Sequence, residues 1–395
     1  TSWTLAQVDF TDGPYLATNS TTTTLTPAQA ATGTNINITA SAVTGINGGA
    51  GFQTTDVGRI ISFNSGKAKI TARTSTTVVA CTITTAFTNT NATAAFNLGA
   101  FSDTTGHPSC VSFFEQRLVF AGTTDEPQTL FFSKAGDYEN MTTGTNADDA
   151  MVYTIASNQV NAIRYMKAVR TLVVGTTGGE FTVSADGTDA SITPTNITIK
   201  RQSSFGSANV DAIPAGNAIL FLQKAKRKIR ELQYNFDSDG YQAPDLTILN
   251  ETVTDTGINE MSYQQEPGSN IWCVRDDGVL ACLTYQRSEN VIAWSRHIFG
   301  GVFGSGKAVC ESVASISGVL TEDEVWVIVK RTINGATKRF VECFSDFDFD
   351  ETSPTSFKFL DSHLSYSGSG TTTLSGLAHL EGQTVSVLGD GATHA

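Results

Sequence analysis

One short stretch of this chain nearly matches a phosphate-binding loop. Residues 301–307 read Gly-Val-Phe-Gly-Ser-Gly-Lys, which fits the opening of a P-loop, where glycine amides cradle phosphates and the lysine neutralises them. The next position should be Ser or Thr to hold magnesium, but it is Ala308, and no βαβ pattern surrounds the stretch. We therefore expect a glycine-rich loop between sheets rather than a nucleotide site.

An alternating acidic stretch begins like a calcium-binding loop. Asp346, Asp348 and Asp350 have the spacing of the first ligands of an EF-hand. The position that needs glycine is Glu351, and the position that needs a bidentate glutamate is Phe357. We expect an acidic, solvated turn; the alternative is a cation site completed by residues from elsewhere in the chain.

The dense basic run of the chain covers residues 224–230, Lys-Ala-Lys-Arg-Lys-Ile-Arg, between two predicted strands. A solvated hairpin tip is the expected structure. The alternative is a contact with an acidic partner or with DNA.

Signals for catalysis are incomplete. Ser184–Gly187 contains part of the Asp-box turn of sialidase propellers, but the glycine is one position early and Thr-Trp is absent. No Ser or Cys stands in a nucleophile-elbow context, and acidic residues cluster in predicted turns rather than as the paired carboxylates of a glycosidase. The histidines are far apart in the sequence: His107, His297, His363, His379 and His394. We predict no enzyme, and no catalytic, cofactor-binding or metal-binding residues.

The best-specified element is a three-stranded meander over residues 272–297. Asp277-Gly278 suits a two-residue type I′ hairpin loop, since both loop positions need positive φ. This loop pairs Cys273 with Cys282 as a non-hydrogen-bonded pair, with Cα atoms about 4.5 Å apart. We expect the two cysteines to face each other as buried thiols, because a reducing cytoplasm does not favour disulfides.

Both faces of this predicted hairpin are apolar. The first face carries Trp272, Val274, Val279, Ala281 and Leu283, and the second carries Cys273, Leu280 and Cys282. A sheet wetted on one side would alternate apolar and polar residues, so this hairpin must be covered on both sides, as a propeller blade is. Trp272 should therefore be buried against an adjacent blade.

Similar apolar strands recur at intervals of about 50 residues, a spacing typical of propeller blades. They are residues 117–121, 171–175, 218–222, 270–274 and 324–328. Each is followed by a turn and another strand: residues 128–132, 179–183, 228–232, 279–283 and 337–341. We predict five blade-like units, with a sixth completed from the flanks. The best helical candidate, residues 157–167, is expected to lead into a strand through one helical turn.

Composition limits the classes of function. The 395 residues are 40% hydrophobic and 16% charged, with a net charge of −13. Such a charge argues against wrapping nucleic acid, which needs Lys and Arg on phosphates, but a negative wall lets DNA slide. No apolar run approaches the roughly 20 residues of a membrane span. Six scattered cysteines without a CxxC pair indicate a reducing site of synthesis.

The predicted fold class is mostly β, with a propeller-like core of antiparallel blades. Residues 1–18 are expected to end an upstream β-domain, 19–100 to form an inserted β-rich domain, 101–362 the propeller-like core, and 363–395 to start a C-terminal β-domain. We expect the chain to be an internal piece of a longer protein, because Thr1 is not an initiator Met and the last residues read as a strand and a turn.

Several segments together resemble one protein family. They are Leu98–Ser102, His107–Gly122, Phe131–Tyr138, Ile271–Gly278, Ala293–His297, Glu324–Arg331 and Leu377–Val385. In their residues and their order along the chain they are similar to the tail nozzle, or tail tubular protein B, family of short-tailed bacteriophages and to the packaged-DNA stabilisation proteins of these phages. The chain departs from that family at Phe96 and Phe101, where Trp is expected.

The resemblance implies a virion protein of the phage tail, assembled in the host cytoplasm. In that family a propeller-bearing subunit forms a hexameric ring beneath the portal and adaptor, closes the DNA channel and opens on infection. The implied partners are other copies, the portal and adaptor complex, tail fibres, and passing double-stranded DNA bound without sequence specificity; membrane insertion is not expected. The alternative is a receptor- or carbohydrate-binding tail propeller, which would expose aromatic platforms, whereas Trp272, Trp294 and Trp326 fall in strand cores.

Overall fold

The computed structural model describes residues 4, 10–156, 160–187, 190–318, 322–345, 364, 366–389 and 392–394. Over these residues the chain is nearly all β, and its sheets are antiparallel. The helices described are short 3-10 turns: Asn47–Gly49, Thr54–Asp56, Glu251–Val253, Arg287–Glu289 and Ala378–Leu380. The chain divides into two compact units, Thr1–Asn209 and Val210–Ala395.

The first unit opens with a six-stranded sheet in the order β1-β2-β5-β4-β3-β6. Its strands are β1 Leu25–Pro27, β2 Gly33–Ala40, β3 Ile60–Phe63, β4 Gly66–Arg73, β5 Val78–Thr85 and β6 Phe96–Leu98. Buried and partly exposed residues alternate along β3 and most of β4, the pattern of a sheet with one face on a core. That core includes Ile38, Phe52, Ile61 and Ile70.

Two four-stranded meanders complete the first unit. The first contains β7 Cys110–Phe114, β8 Arg117–Ala121, β9 Thr129–Phe132 and β10 Met151–Thr154. The second contains β11 Ile163–Ala168, β12 Leu172–Thr176, β13 Gly179–Ser184 and β14 Thr198–Arg201. Their facing side chains, among them Val119, Phe132, Leu172 and Val174, share one apolar core, so the two sheets stack as propeller blades do.

The second unit repeats this architecture. Its sheets are β15 Ile213–Ala215, β16 Ala218–Leu222, β17 Ile229–Asn235 and β18 Gly240–Gln242; then β19 Ile258–Gln264, β20 Asn270–Arg275, β21 Leu280–Gln286 and β22 Val291–His297; then β25 Val309–Ile316, β26 Glu324–Ile333 and β27 Ala336–Cys343. Two hairpins are β23 Val302–Phe303 with β24 Gly306–Lys307, and β28 Val387–Gly389 with β29 Ala392–His394.

The predicted repeat is confirmed. The five recurring apolar segments form β8, β12, β16, β20 and β26, and each is the second strand of its sheet in chain order. The strands predicted to follow them form β9, β13, β17, β21 and β27. The helical candidate runs into strand β11, as expected, and its residues 163–167 belong to that strand. The expected helical turn is absent from its described residues 160–162, and residues 157–159 lie outside the described part.

The predicted register of the β20–β21 hairpin is wrong by one residue. Trp272 pairs with Cys282, and Cys273 pairs with Ala281, so the two cysteines point to opposite faces. The loop has three residues, 276–278, closed by Gly278 N–H donating to Arg275 O at 3.0 Å. Only Gly278, with φ 78°, is left-handed in this loop, which is the geometry of a type I turn with a G1 bulge rather than type I′. Both cysteines are buried free thiols, as predicted.

Coverage of both hairpin faces is confirmed. Trp272, Val274, Leu280 and Cys282 pack on valines of β25 and β26: Val313, Val325, Val327 and Val329. On the opposite face, Ile271, Cys273, Ala281 and Leu283 are fully buried. The indole of Trp272 is 8% exposed and stacks on Phe344 with ring centres 5.1 Å apart, so the predicted burial of Trp272 against the neighbouring sheet holds.

A repeated backbone hydrogen bond joins consecutive sheets. In each case a carbonyl between the second and third strands accepts from an N–H in the first strand of the next sheet. The pairs are Pro127 O with Ile163 N at 2.8 Å, Lys226 O with Ile258 N at 2.9 Å, and Gly278 O with Cys310 N at 2.8 Å. A Cβ at position 278 would lie 2.6 Å from Val309 Cγ1, so glycine also permits this close approach.

Candidate functional site: buried charges that hold the loops

The structure places the P-loop-like stretch in a strand–turn–strand hairpin, β23 and β24, rather than between a strand and a helix. Lys307 is exposed, and the glycine amides do not stand at a helix N-terminus where phosphate binds. The expectation of a glycine-rich loop is confirmed. The acidic stretch with Asp346, Asp348 and Asp350 lies outside the described residues.

The basic run forms the turn between β16 and β17, as the hairpin-tip interpretation predicts. Several of its cations are used within the fold. Lys228 Nζ is 2.8 Å from Asp245, Lys226 donates to Asn259 at 2.7 Å, and Arg230 donates to the Ala243 carbonyl at 2.7 Å. Two cations, Lys224 and Arg227, point into solvent, so this turn offers little concentrated charge to phosphates.

The weaker catalytic signals stay separate. Ser184 ends β13, and residues 186–187 form a bend after it. His107 pairs with Asp103 at 3.0 Å, His297 packs on Trp272, and His379 packs on Phe340. His363 and the side chain of His394 lie outside the described residues. Within the described ranges, no three His, Cys, Asp or Glu side chains are grouped to hold a metal ion.

The prominent chemistry of the blades is instead a set of buried arginines. Arg117, at the start of β8, is 2% exposed. Its guanidinium donates to the carbonyls of Ser133 at 2.8 Å, Ala147 at 2.6 Å and Asp149 at 2.7 Å. Burial lowers the pKa of this guanidinium, and nearby carboxylates, Asp148 foremost, oppose that shift. Arg117 therefore fixes the loop that leads into β10.

Two further sheets use an arginine in the same way. Arg275, at the end of β20 and 5% exposed, donates to Val253 O at 2.6 Å and to the Asp277 carboxylate at 2.8 Å. Arg331 in β26 is 2% exposed; it donates to Gly300 O at 2.7 Å and pairs with Glu342. A planar guanidinium suits this role because it presents five donors in a rigid fork.

A buried glutamate joins two sheets of the second unit. Glu231 on β17 is 1% exposed. It accepts from the Tyr285 hydroxyl at 3.0 Å and pairs with Arg287 Nε at 3.2 Å. Burial is the main cause that raises the pKa of Tyr285, and the Glu231 charge adds to it. The phenol therefore stays protonated and keeps donating across the two sheets.

Sequence reasoning missed these charged groups. The signal available was a lone arginine beside an apolar strand: Arg117, Arg275 and Arg331 each border such a run. Each of them binds at least one loop carbonyl distant in sequence, and a carbonyl can belong to any residue type. Arg275 and Arg331 also bind carboxylates. What the arrangement does chemically is satisfy buried polar groups and hold loops still, not activate a nucleophile.

Burial also makes the thiols of the core unreactive. It raises the pKa of Cys81, Cys282 and Cys310 to about 12 and that of Cys273 well above its usual value.

Thiolate is the form of cysteine that reacts with Ellman's reagent. In the folded chain at pH 8 we therefore expect one fast reaction, at exposed Cys343. After unfolding in guanidinium we expect six thiols to react. The Cys343→Ser variant should lose the fast phase, and more than one fast thiol in the folded chain would contradict the core described above.

No helix among the described residues has the length and apolar character needed to cross a membrane.

No protein-family model and no curated protein matches the chain. Among solved structures, it is similar to the WD40 domain of Pan2 from Neurospora crassa, with 11% identity, 60% of this chain and 62% of that chain covered, and a TM-score of 0.34. The match thus spans less than two thirds of the Pan2 chain. It is also similar to the β-propeller domain of Cps50 (Swd1) from Myceliophteria thermophila, with 12% identity, coverage of 67% and 95%, and a TM-score of 0.30.

The endosialidase of phage phi92 is a third similar structure, with 12% identity, 96% of this chain and 56% of that chain covered, and a TM-score of 0.23.

The class of protein is defined by the strand order described above: a mostly-β chain with propeller-like, antiparallel blades and a separate six-stranded sheet.

Proposed function

We propose that this chain is a structural subunit of a short-tailed phage tail, forming with other copies a ring around the DNA channel that retains the packaged genome and then conducts it. The observation that supports this most is where the family-like segments lie. They include the blade strands β7, β8, β20, β22 and the first part of β26. The family-like segments therefore lie on the blade framework that a ring wall needs. They include the three arginines that hold loops, Arg117, Arg275 and Arg331.

The role is mechanical and non-catalytic. A channel wall under pressure from packaged DNA must not yield locally, and loops with few contacts open first. Arg117, Arg275 and Arg331 anchor such loops from inside the sheets. The net charge of −13 suits a wall that repels the polymer rather than holding it. The ring is closed by rotation, with six copies and head-to-tail contacts between them.

The test uses a phage that encodes this chain, carrying an amber codon in its gene. In a non-suppressing host, we expect heads that package DNA and then lose it, and tails that lack the ring in electron micrographs. Quantitative mass spectrometry of suppressed, infectious particles should give six copies per virion. Mutant particles that retain their DNA, or virions without the chain, would overturn the proposal.

The second candidate is a receptor- or carbohydrate-binding tail propeller, and one observation favours it. The β17–β18 hairpin exposes an aromatic cluster: Phe236 is 87% exposed, and Tyr234 and Tyr241 make an edge-to-face pair with ring centres 5.6 Å apart. Aromatic faces flanked by polar groups are able to receive sugars or receptor loops. The same amber particles separate the two functions, because loss of a receptor-binding protein leaves DNA-filled particles that do not adsorb.

The proposed sliding surface also makes a prediction about DNA. The purified chain should bind duplex DNA only weakly, in the non-specific range of about 10⁻⁴ M or weaker at 150 mM salt, because few cations face solvent in the basic turn. A fluorescence-anisotropy titration at several salt concentrations measures this. Lys224→Gln with Arg227→Gln removes the two solvent-facing cations and should change little. Tight binding with a steep salt dependence, abolished by that double variant, would make the turn a DNA contact.

A further inference from the structure

Two exposed apolar surfaces lie at opposite ends of strand β17 in the second unit. The first is the tip of the β17–β18 hairpin, where the ring of Phe236 is exposed. The second is the loop after β18, where Ile248 is 64% and Leu249 is 90% exposed. Strand β17 has seven residues, so its ends are about 20 Å apart at about 3.3 Å per residue. The two surfaces are therefore separate, and each is available for a contact of its own.

The loop after β18 lies beside the basic turn that precedes β17. Leu246 N donates to Ile229 O, at the start of β17, at 2.9 Å. Thr254 Oγ1 donates to Arg227 O, within the basic turn, at 2.6 Å. Both flanks of the loop are thus tied to the same end of β17. We call the side chains that face solvent there the basic end: Lys224, Arg227, Ile248 and Leu249.

Two cations of the basic end have no carboxylate partner within the described part of the chain. The carboxylates that approach the turn are used by a third cation: Lys228 Nζ is 2.8 Å from Asp245 and 3.5 Å from Glu251. Lys224 and Arg227 are exposed and form no ion pair with any described residue. The basic end therefore carries two uncompensated positive charges next to two exposed aliphatic side chains.

The hairpin tip at the other end of β17 has the opposite charge. Asp237 and Asp239 follow Phe236 in the loop between β17 and β18, and both are exposed. Asp239 accepts from the Tyr234 hydroxyl at 2.5 Å, a contact that leaves the negative charge in place. Over the described ranges, neither aspartate pairs with a Lys, Arg or His side chain. We call Tyr234, Phe236, Asp237 and Asp239 the acidic end.

We propose that the acidic end of one copy of this chain binds the basic end of the next copy. The exposed aromatic and aliphatic side chains pack together at the centre of the contact, and the carboxylates pair with the cations at its rim. Because the two surfaces differ, the contact is head-to-tail, the type that closes a ring by rotation. The inference rests on the ring of the proposed function and names the contact that builds it.

The test reverses the charges in the full chain and follows self-association by analytical ultracentrifugation. The wild type should associate, and less so at high salt, because exposed ion pairs are screened. Lys224→Glu with Arg227→Glu makes both ends acidic, and Asp237→Lys with Asp239→Lys makes both ends basic. Each double variant alone should associate at least about 100-fold more weakly than the wild type, since like charges then face each other. An equimolar mixture of the two should recover to within about tenfold of the wild type, because opposite charges meet again at every contact.

Matched controls separate the contact from general effects of charge and polarity. Lys307→Glu with Lys338→Glu changes the net charge equally, at exposed positions on β24 and β27, and should associate like the wild type. Phe236→Ser and Leu249→Ser should each weaken association about tenfold, the effect of losing one large apolar contact. Ile316→Ser, at an exposed position on β25, should not.

The proposal is overturned if the wild type stays monomeric up to about 1 mM, if the charge-reversed variants associate as strongly as the wild type, or if their mixture does not recover. Thermal melts show that each variant is folded, and Lys224→Glu paired with Asp237→Lys replaces the double variants if they are not. The contact and the ring role fail separately. Amber particles that lose their DNA, with no recovery in the mixture, would leave the role standing and remove this contact. Recovery in the mixture, with the chain missing from virions, would do the opposite.

Discussion

Replacing Trp272 by alanine is expected to lower the free energy of unfolding by about 3–5 kcal/mol. The indole is 8% exposed, stacks on Phe344, and contacts the core shared by β20, β21, β25 and β26. Its Nε1 also donates to Gln264 at 3.0 Å. The substitution leaves a cavity that two packed sheets cannot close, and it removes the donor to a nearly buried amide oxygen.

Urea unfolding, followed by circular dichroism, measures this loss. Trp326→Ala is the matched control, because Trp326 lies on β26 but is only half-buried, and its Nε1 bonds to the exposed Glu324 carboxylate. The control should lose clearly less stability than the Trp272 variant. Equal losses would mean that Trp272 does not hold the two sheets together.

The Arg117→Met variant is expected to lose about 3 kcal/mol of stability. Four carbonyls, those of Ser133, Ala147, Asp148 and Asp149, lose their guanidinium donors. Each buried carbonyl left unpaired costs about 1–3 kcal/mol, and water reaching the loop recovers part of the sum. The loop over residues 147–149 should also lose protection in hydrogen exchange.

Two variants bracket this result. Arg117→Lys keeps the charge but has no rigid fork, so it should recover only part of the loss. Arg170→Met changes an exposed arginine in the turn between β11 and β12 and should cost less than about 0.5 kcal/mol. If Arg117→Met unfolds like the Arg170 variant, the guanidinium is not what holds the loop.

The strand content and the repeat of this chain could be predicted from sequence alone, because they rest on local patterns. The runs at residues 218–222 and 325–328 are apolar throughout, the second is rich in β-branched residues, and the spacing of such runs repeats. Coverage of both faces of the β20–β21 hairpin was also evident, because its residues are apolar at odd and even positions alike.

That same pattern made the register undeterminable from sequence. A one-residue slip normally moves apolar side chains into water, which is what fixes a register. Here the slip places Cys282 opposite Trp272, where the prediction had Leu283. Both faces of the hairpin stay apolar in either register, so hydrophobicity does not select one of the two registers. The choice came from tertiary contacts: the three-residue loop brings Gly278 O to Cys310 N.

The buried charges show the same division. Sequence placed Arg117 and Arg275 beside apolar strands. The acceptors of Arg117 are backbone carbonyls in loops, and any residue type supplies a carbonyl. Arg275 binds one loop carbonyl, that of Val253, and otherwise side-chain oxygens of nearby turns. Only the folding of those loops over the sheets decides which carbonyl is buried beside which guanidinium.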